Sequence, residues 1–311
     1  MESGYQRANE FSNRILDALR DDLGTSLGKP PLVITCGSYA RREACPLSDM
    51  DYYVVRENGE TPDGESEKIR EAIQRHVKKA PADGGAFAAD ITLSELLSNF
   101  GGSNDSNETI TRRMLYLLEG DHLTNKDEFL KYRREIIEKY VGETPRDHQL
   151  AFYLLNDLIR YWRTLTVDYA NKTYEASRPK PWAIRNIKLV FSRKLIFASG
   201  LFSVALTADR TQNKKIDILE SLFSMPPIER IEYVCGKSAS QRLFQIYDFF
   251  LEEMEKPEIR KSLESLERNN RETDETFRTL KNEGHYFSRE LYGLFEKTFH
   301  SSHPIRMAAV F

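Results

Sequence analysis

Apolar positions along the first half of the chain switch between two periods. Over residues 6–23, Phe11, Ile15, Leu16 and Leu19 recur at helical spacing. Residues 32–35 (Leu-Val-Ile-Thr) and 52–55 (Tyr-Tyr-Val-Val) are instead short β-rich runs. A polar loop over 57–64 leads to a charged helix over 65–79, and a Pro/Gly-rich turn (81–85) precedes a third apolar segment, 87–92. Thr92 and Glu95 form the capping-box pattern that starts a helix at Leu93. A loop rich in Gly, Asn and Ser (101–107) leads to a helix from Thr109 that stops at Gly120, as helices often do.

Beyond Thr144-Pro145 the pattern is almost wholly helical. One long helix is predicted over 148–174, a Pro-rich break over 178–181, and a second long helix over 182–206. Further helical segments follow at 216–223, 227–235, 240–255 and from 258 onward. The fold class is therefore a small α/β (α+β) mixed-sheet domain, residues 1–144, followed by an all-α domain, residues 145–311.

Composition narrows the function classes. With 311 residues, 40% hydrophobic and 30% charged, the chain has material for two ordinary cores. A net charge of −3 argues against a basic protein that coats nucleic acid. Cys36, Cys45 and Cys235 have no metal spacing; their odd number and the polar N-terminus predict a reducing cytoplasm. The longest apolar stretch, 189–206, is interrupted by Arg193 and Lys194, which predicts no membrane span. The six histidines form no metal cluster along the sequence.

Between the first two strands lies the chemistry. The segment 37–51 reads Gly-Ser-Tyr-Ala-Arg-Arg-Glu-Ala-Cys-Pro-Leu-Ser-Asp-Met-Asp. Strand side chains alternate faces, so Asp49 and Asp51 point one way and Met50 the other. Two carboxylates on one face call for a cation, and magnesium, a hard ion that prefers carboxylate and phosphate oxygens, is the natural occupant. The backbone amides of the Gly37-Ser38 turn can cradle phosphate, since glycine permits close approach. Arg41 is a candidate to neutralise phosphate charge, with an ion pair to Glu43 as the alternative.

That string resembles the signature of the polymerase β-like nucleotidyltransferase superfamily. Arg41, Glu43, Pro46 and Ser48 are similar to the branch of the protein-PII uridylyltransferases and related bacterial nucleotidyltransferases with a helical substrate-binding domain. The resemblance implies a third carboxylate on a neighbouring strand, for which Asp90 is placed, the alternative being a helix cap. It implies that Asp49, Asp51 and Asp90 are catalytic and hold two Mg2+ ions, with Mn2+ as a substitute, and that Ser38 donates to a phosphate oxygen. A nucleoside triphosphate would then donate its nucleotide to a hydroxyl acceptor with release of pyrophosphate.

The resemblance extends more loosely into the helical part through 156–163 and 185–189. Relatives commonly present a lysine and a serine to the triphosphate from such a helix, which nominates Lys188 and Ser192; ordinary inter-helix ion pairing is the alternative. Arg112 and Arg113 are weaker phosphate candidates, a solvated helix face being the commoner reading. Aromatic residues over 286–299 predict a packing face, a platform for stacking single-stranded bases being the alternative, and the tail 301–311, which ends apolar, suggests docking to a partner or to the protein's own cleft. The acceptor is left open: a protein or small-molecule hydroxyl, another nucleotide (a template-independent polymerase or a signal-nucleotide synthase in antiphage defence), or none, in an inactive nucleotide-binding, antitoxin-like partner.

Overall fold

The computed structural model describes residues 2–28, 30–57, 62–79, 90–98, 100–101, 104–142, 148–175 (Glu175 by its backbone) and 180–309. The architecture is mixed α/β, many helices with one small mixed sheet. Two compact units divide the chain: Met1–Pro145 with Gln212–Pro226, and Arg146–Thr211 with Pro227–Phe311. Among the described residues no helix is long and apolar enough to cross a membrane.

In the first unit, helix α1 (Gly4–Ser26) is opened by a Ser3 capping box with Gln6. Strand β1 (Leu32–Cys36), a single-turn α2 (Gly37–Ala40), β2 (Asp51–Arg56) and α3 (Glu65–His76) follow. Then come β3 (Ile91–Thr92), α4 (Leu93–Leu97), α5 (Asn107–Glu119), β4 (Asp121–His122) and α6 (Lys126–Gly142). The expected Thr92–Glu95 box is present at α4, with the Glu95 amide donating to Thr92 Oγ1 at 3.2 Å. The helix expected over 65–79 stops at His76, and the backbone of Lys79 instead forms an isolated parallel β-bridge with that of Asp49. Of the expected segment 87–92, residues 87–89 lie outside the described residues.

The strand order is β3-β2-β1-β4, with β1 antiparallel to β2 and β4, and β2 parallel to β3. All five residues of β1 are buried, so the strand is covered on both faces. On one face Val33, Val54 and Met50 join Leu16, Leu19 and Leu23 of α1 and Ile69 and Ile73 of α3 in one core. The other face carries Ile34, Cys36, Tyr53 and Val55, and α5 lies over it, with Cys36 Sγ 4.0 Å from the Leu115 carbonyl.

The second unit is helical: α7 (Phe152–Ala170), α8 (Trp182–Lys188) and α9 (Lys194–Ala205). The helix α10 (Gln212–Phe223) returns to the first unit, where it packs on α6, an excursion that the division into two consecutive segments did not anticipate. After it come α11 (Pro227–Cys235), α12 (Lys237–Glu255), α13 (Pro257–Ser265), α14 (Glu275–Thr298) and α15 (Pro304–Ala308). A π-helical turn, Leu189–Arg193, joins α8 to α9. The aromatic stripe is largely core, with Phe287, Leu291, Leu294 and Phe299 buried and Tyr286 and Tyr292 exposed. Of the apolar tail, Ile305 is buried, and Arg306 ties α15 to Glu296 and the Phe299 carbonyl. Residues 310–311 lie outside the described residues.

Candidate functional site

Strand β1 delivers the chain to the site and β2 carries it away. Cys36, the last residue of β1, pairs with Asp51, the first of β2. Thr35 Oγ1 donates to the Asp51 carbonyl at 3.0 Å, which fixes that backbone. The chain turns at Gly37, whose φ of +74° is a conformation L side chains rarely adopt. A Cβ on Gly37 would lie 3.1 Å from Asp51 Oδ2, so the carboxylate occupies the space that the missing side chain leaves. Ser38 is half-buried, and its carbonyl accepts the Glu43 amide at 2.8 Å.

Arg41 follows the turn but points inward. Its side chain is 7% exposed; Nε donates to Glu43 Oε2 at 2.8 Å, and Nη1 donates to Glu119 Oε2 at very short range. The ion pair with Glu43 weighed from the sequence is present, joined by a second acid from the end of α5. A guanidinium fork can serve both carboxylates at once. The arrangement holds α2 against α5 and commits Arg41 to the fold.

The local field is negative. Burial pushes the Cys36 thiol well above its ordinary value; the charges of Glu119, Asp51 and Asp121 push it further, and that of Arg41 opposes them. Asp49 lies just ahead of β2, half-buried, at the bridge with Lys79. Burial first, then the charges of Cys45 and Asp49, push the Tyr39 hydroxyl up to about 12. The fields of Asp49 and Asp51 are thus felt at different neighbours, Tyr39 and Cys36.

Asp90 is engaged elsewhere. Its Oδ2 accepts from Arg56 Nε at 2.6 Å, and Arg56 Nη2 pairs with Glu65 at 2.5 Å. Along β2, Arg56 and Asp51 fall on opposite faces, since five residues separate them. The parallel register Val55↔Ile91 places Asp90 with the face of Arg56. Among the described residues no group of three or more His, Cys, Asp or Glu side chains is arranged to hold a metal. The structure therefore sets Asp51 against the Gly37 turn and does not gather Asp90 with it.

Two further groups escape a reading by motif. Asp121, directly after Gly120, accepts from Arg42 Nη2 at 2.7 Å and Arg20 Nη2 at 2.9 Å, and Arg42 Nη1 also donates to the Ala40 carbonyl at 2.9 Å. Burial alone would raise the Asp121 carboxyl, but the hydrogen bond from His122 and the two guanidinium charges hold it well below the usual range. Glu119, the second, holds Arg41. The signal for both was the Glu-Gly-Asp end of the α5 pattern. Arg113 is fully buried on Asp105 and Tyr140, a structural role. Arg112 pairs with Glu108 at 2.8 Å, while its Nε and the Tyr53 hydroxyl are buried without a hydrogen-bond partner among the described residues.

Lys188 and Ser192 belong to the second unit. Lys188 ends α8 and is half-buried; Ser192 is 4% exposed, and its Oγ accepts from the Tyr247 hydroxyl at 3.2 Å. Comparisons with family models, with curated proteins and with solved structures find no match for the chain.

Proposed function

We propose that the first unit binds a nucleoside triphosphate with a divalent cation and transfers its nucleotide to a hydroxyl acceptor. The observation that carries this reading is the seat of the Asp51 carboxylate on the bare Cα of Gly37, at the turn between two strands. Such a seat leaves backbone amides and a carboxylate side by side, the pairing that a phosphate with its cation needs.

Each residue has a definite part. Asp51 and Asp49 would hold a magnesium or manganese ion through carboxylate oxygen, a donor set that fits a hard cation. The negative field that Glu119, Asp51 and Asp121 set up at Cys36 favours a positive guest at the same end of the sheet. Gly37 and Ser38 would face the triphosphate with backbone N–H groups and the Ser38 hydroxyl. The cation, when bound, neutralises phosphate charge and stabilises the leaving pyrophosphate. In the transfer the acceptor oxygen bonds to the α-phosphorus, the bond from that phosphorus to the α–β bridging oxygen breaks so that pyrophosphate departs, and the hydroxyl proton passes to solvent. A second cation at Asp90 does not fit the present pairing with Arg56, and no step is assigned to it.

That pairing favours a second reading, nucleotide binding without transfer. One experiment separates the two: incubate the protein with α-labelled nucleoside triphosphates and Mg2+ or Mn2+, and compare it with Asp49→Asn/Asp51→Asn. Label on an acceptor, or nucleotide oligomers, lost in the double variant, supports transfer. Cation-dependent nucleotide binding with no product supports the second reading. If neither occurs, or if the double variant behaves as wild type, both readings fail.

A further inference from the structure

Within the second unit, α14 runs beside α8 and α9 with three contacts in step. Lys281 Nζ donates to Asn186 Oδ1 at 2.7 Å, and Lys194 Nζ donates to Ser288 Oγ at 2.6 Å. Between them Gly284 meets Val190, so closely that a Cβ there would lie 2.5 Å from Val190 Cγ1. Asn186 is held in turn by its Nδ2 donating to the Tyr169 hydroxyl of α7 at 3.1 Å. The contacts bracket the π-helical turn Leu189–Arg193, an irregularity frequent at functional sites.

The charge of this seam is unbalanced. Lys194 and Lys281 are both half-buried, and each ammonium bonds a neutral oxygen; neither makes an ion pair among the described residues. An ammonium carries three donors, so each keeps donors unspent. Burial lowers both lysines from their ordinary value, and the charge of Lys281 lowers Lys194 further. Two cations that share a partly desolvated seam without a counter-charge are costly unless an anion joins them.

We propose that Lys194 and Lys281, with Asn186 and Ser288 orienting them, form a binding site for a phosphoryl oxyanion on the second unit. A phosphate group brings the multiple charge and the several acceptor oxygens that two point-like ammonium groups can satisfy. The site stands on the second unit's own residues and does not depend on the reading of Asp51.

The test is competitive acetylation of the full-length protein with limiting acetic anhydride, read lysine by lysine by mass spectrometry. It is run without added anion, with inorganic phosphate, and with inorganic pyrophosphate. Either anion is expected to slow Lys194 and Lys281 several-fold while the exposed Lys237 and Lys261 keep their rates. Protection by phosphate assigns a single phosphoryl group; protection by pyrophosphate alone assigns a longer one. The proposal is overturned if neither anion slows the pair, or if all four lysines slow together. A second measurement, made without divalent cation in the Asp49→Asn/Asp51→Asn background, is the 31P line width of the protecting anion: adding Lys194→Gln/Lys281→Gln should remove its protein-induced broadening, and undiminished broadening also overturns the site.

Discussion

Asp51 closes on the Cα of Gly37, with its Oδ2 3.1 Å from where a Cβ would stand and the glycine held at a φ of +74°. One residue's lack of a side chain is thereby the other's position. A side chain added at Gly37 would make the carboxylate give way by a few tenths of an ångström.

Gly37→Ala tests the relationship directly. An alanine in this left-handed conformation costs about 1–2 kcal/mol, and its methyl must also displace the carboxylate. Urea denaturation should show a lower midpoint, and Mn2+ binding followed by electron paramagnetic resonance should weaken. Unchanged Mn2+ affinity in a folded variant would remove Asp51 from the cation site.

Arg41 joins the buried acids Glu43 and Glu119, both 2% exposed at the side chain. Arg41→Met removes the guanidinium that both carboxylates bond and should cost roughly 3–5 kcal/mol. Arg41→Lys should recover little of that, because a point charge cannot serve two forks. The triple variant Arg41→Met/Glu43→Gln/Glu119→Gln should regain most of the loss. Chemical denaturation of the three proteins checks this order, and a wild-type midpoint for Arg41→Met would refute it.

How much of this could be read along the chain depends on which contacts are local. The strands, the Thr92–Glu95 cap and the alternation that frees Asp51 from Met50 all follow from neighbours within a few residues. Asp90 does not, because its face is set by the parallel register Val55↔Ile91, a choice made between strands. The surroundings of Ser192 were illegible for a different reason. The stripe 185-188-192 assumes a regular helix, whereas the π turn Leu189–Arg193 changes the angular step, and Ser192 turns inward to Tyr247. The helix α10 has the periodicity expected of it, but periodicity does not say which core an apolar face will join.

Asp90→Asn should be mild. The Asp90 side chain is 25% exposed, and Arg56 keeps Glu65 when Asp90 loses its charge. The expected cost is about 1 kcal/mol or less, with Mn2+ affinity as in wild type. A clear loss of Mn2+ affinity, by about tenfold or 1.4 kcal/mol, would instead place Asp90 among the cation's ligands.

Asp121 sets part of the acid limb. Its carboxyl is held below the ordinary value near ~3.9 by His122, Arg42 and Arg20 acting against burial. Because the folded form binds the proton less tightly than the unfolded one, its contribution is fully present above that ordinary value. It is lost as pH falls towards the folded value. Asp121→Asn should lower stability at neutral pH by on the order of 1–3 kcal/mol and flatten the loss on acidification. Thermal unfolding between neutral and acid pH measures both, and an acid limb as steep as wild type's would contradict the assignment.

Asp51→Asn separates a ligand-binding carboxylate from a structural one. Asp51 acts with Glu119 and Asp121 in raising the Cys36 thiol, so its charge adds to a negative field that a bound cation would relieve. The wild type should gain about 2.7 kcal/mol when Mn2+ stands at about a hundredfold above its Kd. The variant should gain almost none of this, because the gain requires the lost oxygen donor. Calorimetric scans of both proteins with and without Mn2+ decide the matter: an equal cation-induced shift in the two would show that Asp51 binds no metal.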